Sequence, residues 1–318
     1  GSSWLIGIHY LPWVTWHSEV AAFLCVLLLS WGATIRSLAG EQKIPLPLAS
    51  IPFAALAAIV GAQAVTGLVP FWGDAWIFLF YAALCVACLS LGFSVTVAPP
   101  KASTADPQAP FIMLAAVLSA GALLSVVIAL AQVFILWEHL DWIVRSRELR
   151  RPGGNLSQPN HLATLVVMGV ASVVFLYQSK KLSGVVSTLL ILFFSVGLAA
   201  TESRSGALSV LVVLGWWLLK RRAIGDMTSA WMAIGLALAF QAMFFAWPSL
   251  VHALDLSPNA EGRLLQGSLR FQVWPQLLSA LITRPWTGWG FHQVAAALNS
   301  VAHAYPVSEP YTYSHNSV

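Results

Sequence analysis

Charge is what this sequence has least of. Only 9% of its 318 residues are Asp, Glu, Lys or Arg, where a soluble domain carries about a quarter, so a water-soluble globular protein is excluded. Cysteine is scarce as well. Cys25, Cys85 and Cys88 all fall inside apolar stretches, which argues against a disulfide framework or a metal-binding array; they are expected to be buried apolar side chains. Long alternating apolar and polar runs are missing, and with them the ~10-residue strand pattern of a membrane β-barrel. The chain also lacks a GxSxG nucleophile elbow, an HExxH sequence and a DxD pair. It therefore offers neither a hydrolase serine turn nor an evident divalent-cation site, and no metal or cofactor is expected.

What the sequence does contain is apolar bulk: 58% hydrophobic residues, with 15 tryptophans. A helix needs roughly 20 apolar residues to cross a ~30 Å hydrocarbon core. Eight stretches approach that length, at residues 20–36, 47–68, 73–97, 111–136, 160–177, 183–200, 204–220 and 229–247. The expected fold is an all-α integral membrane protein, a polytopic bundle over 1–247. Residues 248–318 mix polar and apolar positions and are expected to form a large outward loop carrying short amphipathic helices. Within it, residues 262–282 have helical periodicity with Arg263 and Arg270 on roughly one face, suited to lying along the interface. "RPWTGWGFHQ", 284–293, is expected to be a tight aromatic turn that shapes a sugar-binding wall. The chain starts without Met at "GSS" and stops at "SHNSV", so truncation at both ends is expected.

Basic residues then divide by type. If "WLIGIHYLPWVTW" lies outside the cytoplasm, all five lysines fall in cytoplasmic loops, as the positive-inside rule prefers. The outward basic residues are Arg145, Arg147, Arg150, Arg151, Arg204, Arg263, Arg270 and Arg284, and every one is arginine. Topology disfavours them there, whereas a planar guanidinium fork suits bidentate contact with phosphate oxygens. An anion at the outer membrane face would account for them. The alternative is ion pairing with Glu138, Asp141, Glu148, Glu202 and Glu261.

Two short motifs carry polar groups directly beside spans. In "RRPGGNLSQPNHLAT", Gly153 and Gly154 permit close backbone approach and Pro159 suits a first helical turn. Gln158, Asn160 and His161 supply donors and acceptors near a helix N-terminus, which favours negative charge. A plain capped helix start is the alternative, and the Asn155 sequon is discounted because it lies so close to the membrane. In "ATESRSGALS", Glu202 and Arg204 interrupt two spans with almost no loop, and charge at that depth is commonly functional. Arg204 at the head of a helix beside Ser203 and Ser205 favours a phosphate contact; a local pair with Glu202 is the alternative. "PYTYSHNSV" holds Tyr311, Tyr313, His315 and Asn316, and an imidazole there is suited to proton transfer, although His252, His292 and His303 lie in the same loop.

Taken together, "HYLPWVTWHSE", "GNLSQPNHLAT", "TESRSGAL" and "YSHN" resemble the bacterial O-antigen ligase and polymerase superfamily. The first two look most like protein O-oligosaccharyltransferases of the PglL type, and the similarity covers nearly the whole chain. The resemblance implies a multi-span, GT-C-like enzyme of the bacterial inner membrane. Such an enzyme takes a glycan from undecaprenyl diphosphate at the periplasmic face and joins it to an acceptor hydroxyl. For the protein-directed branch that hydroxyl is on Ser or Thr, often of a pilin; for O-antigen ligases it is on the lipid A core, and for polymerases on a growing glycan. By the same resemblance His315 matches the essential loop histidine, Arg204 the arginine of the short periplasmic turn, and Gln158 and His161 the "SQPNH" positions. Relatives continue with further spans where this chain stops. The expected site is His315 as catalyst, with Arg204, Arg151, Arg270, Arg263, Gln158, His161, Tyr313 and Asn316 around the diphosphate and glycan. Membrane lipids, donor and acceptor are the expected partners, and nucleic acid is not. A lipid-linked sugar transporter would need polar residues deep in several spans, and a scaffold protein would need no donor.

Overall fold

The computed structural model describes residues 16–38, 45–97, 108–134, 151–156, 158–224, 228–254 and 270–301. Among these the regular structure is helical: α1 (Trp16–Leu38), α2 (Ile51–Val65), α3 (Trp72–Val97), α4 (Ala109–Val133), α5 (Pro159–Gln178), α6 (Gly184–Ala200), α7 (Arg204–Ile224), α8 (Thr228–Ala253), α9 (Arg270–Thr283) and α10 (Val294–Ser300). Each of the eight apolar stretches coincides with one of α1–α8. Among the described residues five helices, within α2, α3, α4, α5 and α8, are long and apolar enough to cross a membrane. The protein is thus an all-α, polytopic membrane protein. The described apolar segments Val20–Ile35 and Gly184–Ala200 are shorter, at 16 and 17 residues. α8 continues past residue 247 to Ala253 with Pro248 inside it.

Contacts divide the chain into two compact units, residues 1–22 with 102–265 and residues 23–101 with 266–318. In the first, α5 packs against α4, α6 and α7, while α8 packs on α6 and α7. More than half of the α5 span is buried, against fewer than three residues in ten for the other four candidate spans. Its core joins Val126 of α4, Leu162, Val166, Val170 and Val173 of α5, Phe194 and Leu198 of α6, and Phe240 of α8.

Lipid removes the hydrophobic driving force between spans, so helices associate by close packing at small residues. Two glycines show this. A Cβ on Gly169 of α5 would stand 2.6 Å from Ala122 Cβ and 3.0 Å from the Phe194 ring. A Cβ on Gly197 of α6 would stand 2.5 Å from both γ-carbons of Val126. Gly197→Ala is expected to destabilise the bundle by about 1–3 kcal/mol, the usual range for overpacking. The pair Gly197→Ala/Val126→Ala should recover part of that loss in denaturant titrations of the solubilised protein.

The second unit pairs α2 with α3 and α9 with α10. α9 buries Val273, Gln276 and Ala280 and exposes Trp274, Leu278, Leu281 and Ile282, the two-faced pattern expected of this loop helix. The cysteines depart from expectation: Cys25 and Cys88 are exposed and Cys85 is half-buried. α1 exposes most of its described apolar side chains, and α3 exposes Trp72, Trp76, Ile77, Phe80 and Phe93. In a membrane protein an apolar residue needs no protein neighbour to be shielded from water, so apolarity does not fix burial.

Candidate functional site at the heads of α5 and α7

The loop that leads into α5 is folded against α4, not suspended above it. Pro152, Gly153, Gly154 and Asn155 are all buried. Gly154 adopts φ +58°, and a Cβ there would stand 3.0 Å from the Ser125 carbonyl oxygen, so both the conformation and the space require glycine. Gln132 of α4 engages both backbone groups of that glycine: its Nε2 donates to the Gly154 carbonyl at 3.0 Å and its Oε1 accepts the Gly154 N–H at 2.9 Å. Ser125 Oγ donates to Asn155 Oδ1 at 3.0 Å. Asn155 is 2% exposed, which leaves no room for a glycan on its sequon.

α5 starts at Pro159, where the missing N–H is no loss. Gln158 occupies the N-cap position in extended conformation and makes no side-chain cap hydrogen bond. The plain capped start is therefore not realised through Gln158. Its side chain is buried, and its Oε1 has no protein partner among the described residues.

A second turn meets this one. Between α6 and α7, Glu202 takes φ +50°, an uncommon conformation for a residue with a β-carbon, within the three-residue turn that joins the two helices. Arg151 Nε donates to the Thr201 carbonyl at 2.6 Å. Ser203 Oγ donates to Asn160 Oδ1 at 3.2 Å and lies 3.2 Å from Ser205 Oγ. A hydroxyl has one proton; with that of Ser203 given to Asn160, Ser205 is the donor in the serine pair. Ser203 Oγ also accepts the Gly206 N–H at 3.3 Å and so serves the head of α7. Gly206 makes the approach possible, because a Cβ there would fall 2.8 Å from Ala163 of α5.

The two polar motifs, some fifty residues apart in the chain, are therefore bonded together. Two helix N-termini converge, each with outward-pointing N–H groups and a partial positive charge. Around them Arg204, Ser205 and His161 are exposed, while Arg151, Asn160 and Glu202 are half-buried. Such a surface favours an anion with several oxygen acceptors.

Of the expected site residues, Arg204, Arg151, Gln158 and His161 are thus in one region. Arg151 has a structural task there, since its Nε is committed to the Thr201 carbonyl. Gln158 faces the interior. Arg270 opens α9 in the other unit, and its side chain lies outside the described set. Arg263, Tyr313, His315 and Asn316 also lie outside the described residues. Asn160 and Ser203 were passed over as linking residues; their only sequence mark is that each is a polar residue beside a span.

The sequence relationships follow this geometry. Residues 188–318 match the O-antigen ligase family, and residues 152–177 match the protein glycosylation ligase family. Over these segments the chain is similar to O-antigen ligases and protein glycosylation ligases. Two relatives come from Acinetobacter baylyi. A general O-oligosaccharyltransferase is 25% identical over 99% of this chain and 55% of its own length. A ComP-specific O-oligosaccharyltransferase is 25% identical over 95% of this chain and 53% of its own. The chain spans about half the length of these curated relatives. No solved structure matches it significantly. The stretch that matches the protein glycosylation ligases is the α5 arm of the site, and the ligase match begins in α6, just ahead of the Glu202 turn.

Proposed function

We propose that this chain transfers a glycan from undecaprenyl diphosphate to a Ser or Thr hydroxyl of an acceptor protein such as a pilin, at the periplasmic face of the bacterial inner membrane. The observation that carries this reading is the bonded junction between the SQPNH and TESRSG turns, which sets Arg204 beside two helix N-termini. A lipid diphosphate is already a good leaving group. Catalysis then needs positioning of the donor and stabilisation of departing charge.

Arg204 contacts the diphosphate, with Arg151 holding the turn and Arg270 and Arg263 contributing from the late loop. His161, Tyr313 and Asn316 line the donor and glycan, and Gln158 supports the turn from within. His315 accepts the proton of the acceptor hydroxyl. The hydroxyl oxygen forms a new bond to the anomeric carbon, the carbon–oxygen bond to the diphosphate breaks, and the lipid diphosphate leaves with the electron pair. Attack opposite the leaving group inverts the anomeric centre. Guanidinium groups supply the charge that a metal supplies elsewhere, so chelation with EDTA is expected to leave the rate unchanged; loss of transfer on chelation would overturn the metal-independent scheme.

Attachment to lipid A core is the second reading, favoured by the O-antigen ligase match over 188–318. The purified protein incubated with lipid-diphosphate glycan and either pilin peptide or lipid A core separates the two by the mass gained on each acceptor. Transfer to neither acceptor would remove both readings.

A further inference from the structure

Gln132 stands in the last turn of α4, a helix with no charged residue and no other amide. A polar side chain inside an apolar span is costly unless its donors and acceptor are satisfied. Two of its bonds fall on one residue: Nε2 donates to the Gly154 carbonyl at 3.0 Å, and Oε1 accepts the Gly154 N–H at 2.9 Å. Gly154 is buried, and buried backbone groups left without a partner cost about as much as a lost hydrogen bond. Ser125, about two turns earlier on the same face of α4, donates through Oγ to Asn155 Oδ1 at 3.0 Å. α4 thus grips adjacent residues of the α5 arm at two points.

The residues on either side of this grip are the ones that reach the other arm of the site. Arg151 Nε donates to the Thr201 carbonyl at 2.6 Å, and Asn160 Oδ1 accepts from Ser203 Oγ at 3.2 Å. Thr201 and Ser203 lie immediately ahead of Arg204, the first residue of α7. A path of hydrogen bonds and short chain segments, all inside one compact unit, therefore runs from α4 to the turn that presents Arg204.

We infer that Gln132 and Ser125 are positioning residues for the lipid diphosphate. They hold the α5 arm in the place from which Arg151 and Asn160 fix the Thr201–Ser203 turn, and that turn sets where the Arg204 guanidinium is presented. The inference rests on the proposed contact of Arg204 with the diphosphate. A substitution on a helix that carries no charge should then weaken binding of the anion, and should do so by way of Arg204.

The test uses the protein in lipid nanodiscs and undecaprenyl diphosphate itself as the probe, without acceptor. Three quantities are read: hydrogen exchange over residues 153–164, affinity for the probe, and the thermal midpoint. Gln132→Met keeps the length of the side chain and removes both hydrogen bonds; exchange in that segment should speed up and affinity fall roughly tenfold, within the range of coupling in a bonded network. In an Arg204→Ala background the same substitution should change affinity by less than about twofold, because the two effects share one route. Ser125→Ala removes the second grip and should follow the same pattern more weakly, and it carries the comparison where Gln132→Met does not fold. Leu214→Ala, buried in α7 beyond two turns from its head, lowers stability alone and should leave affinity at the wild-type value.

Faster exchange with wild-type affinity would overturn the positioning role and leave the proposed function standing. Unchanged exchange would overturn the grip itself. An equal loss of affinity with and without Arg204 would show that Gln132 acts by another route, and an equal loss in Leu214→Ala would reduce the effect to stability; either result sinks the inference. Wild-type affinity in Arg204→Ala alone would instead remove the proposed diphosphate contact, and this inference with it.

Discussion

Glycan transfer is expected to stop when His315 is replaced by alanine, with the protein still inserted and folded. A positioned general base typically contributes about a hundredfold to ten-thousandfold, and the acceptor hydroxyl is a poor nucleophile until its proton has somewhere to go. Donor binding should survive, because the groups proposed to hold the diphosphate belong to α5 and α7 and to neighbouring arginines. The check is a single-turnover assay beside a donor-binding measurement on the same preparation. Retained transfer at the wild-type rate would remove the catalytic assignment.

Arg204→Ala should impair donor binding as well as transfer. Losing one charge contact to the departing diphosphate is expected to raise the barrier by about 3 kcal/mol, roughly a hundredfold in rate. Arg204→Lys should recover only part of this, because an ammonium lacks the planar fork that meets two phosphate oxygens at once. Arg151→Ala makes an informative comparison. Arg151 Nε bonds the Thr201 carbonyl, so its loss should lower thermal stability as well as rate. Arg204 is exposed at the head of α7, and its replacement should cost less stability than that of Arg151. Equal loss of stability in both variants would argue that Arg204 is structural.

The helices were legible because a span must be long and apolar whatever it packs against, and Pro159 and Arg204 mark the starts of α5 and α7 as their local chemistry requires. The membership of the site was partly legible for the same reason: charges and amides beside spans are expensive and stand out. Its assembly was not. The Arg151 bond ends on a backbone carbonyl, which every residue possesses, and the Ser203–Asn160 bond joins two residue types too common to attract notice. Gln63 of α2 had a readable mark, a single amide within an apolar run, yet the groups it bonds, the Thr287 carbonyl and the Phe291 N–H, are backbone atoms more than two hundred residues away. Cysteine burial was misjudged because the usual link between apolarity and burial assumes water outside.

The amide of Gln132 that grips both backbone groups of Gly154 has a consequence for how such a chain can vary. Surface loops usually accept an inserted residue at little expense. Here one extra residue between Gly154 and Pro159 would either strand the glycine's N–H and carbonyl or push the start of α5 out of register with Ser203. Length polymorphism among related sequences should therefore avoid that short interval, even where its individual side chains differ.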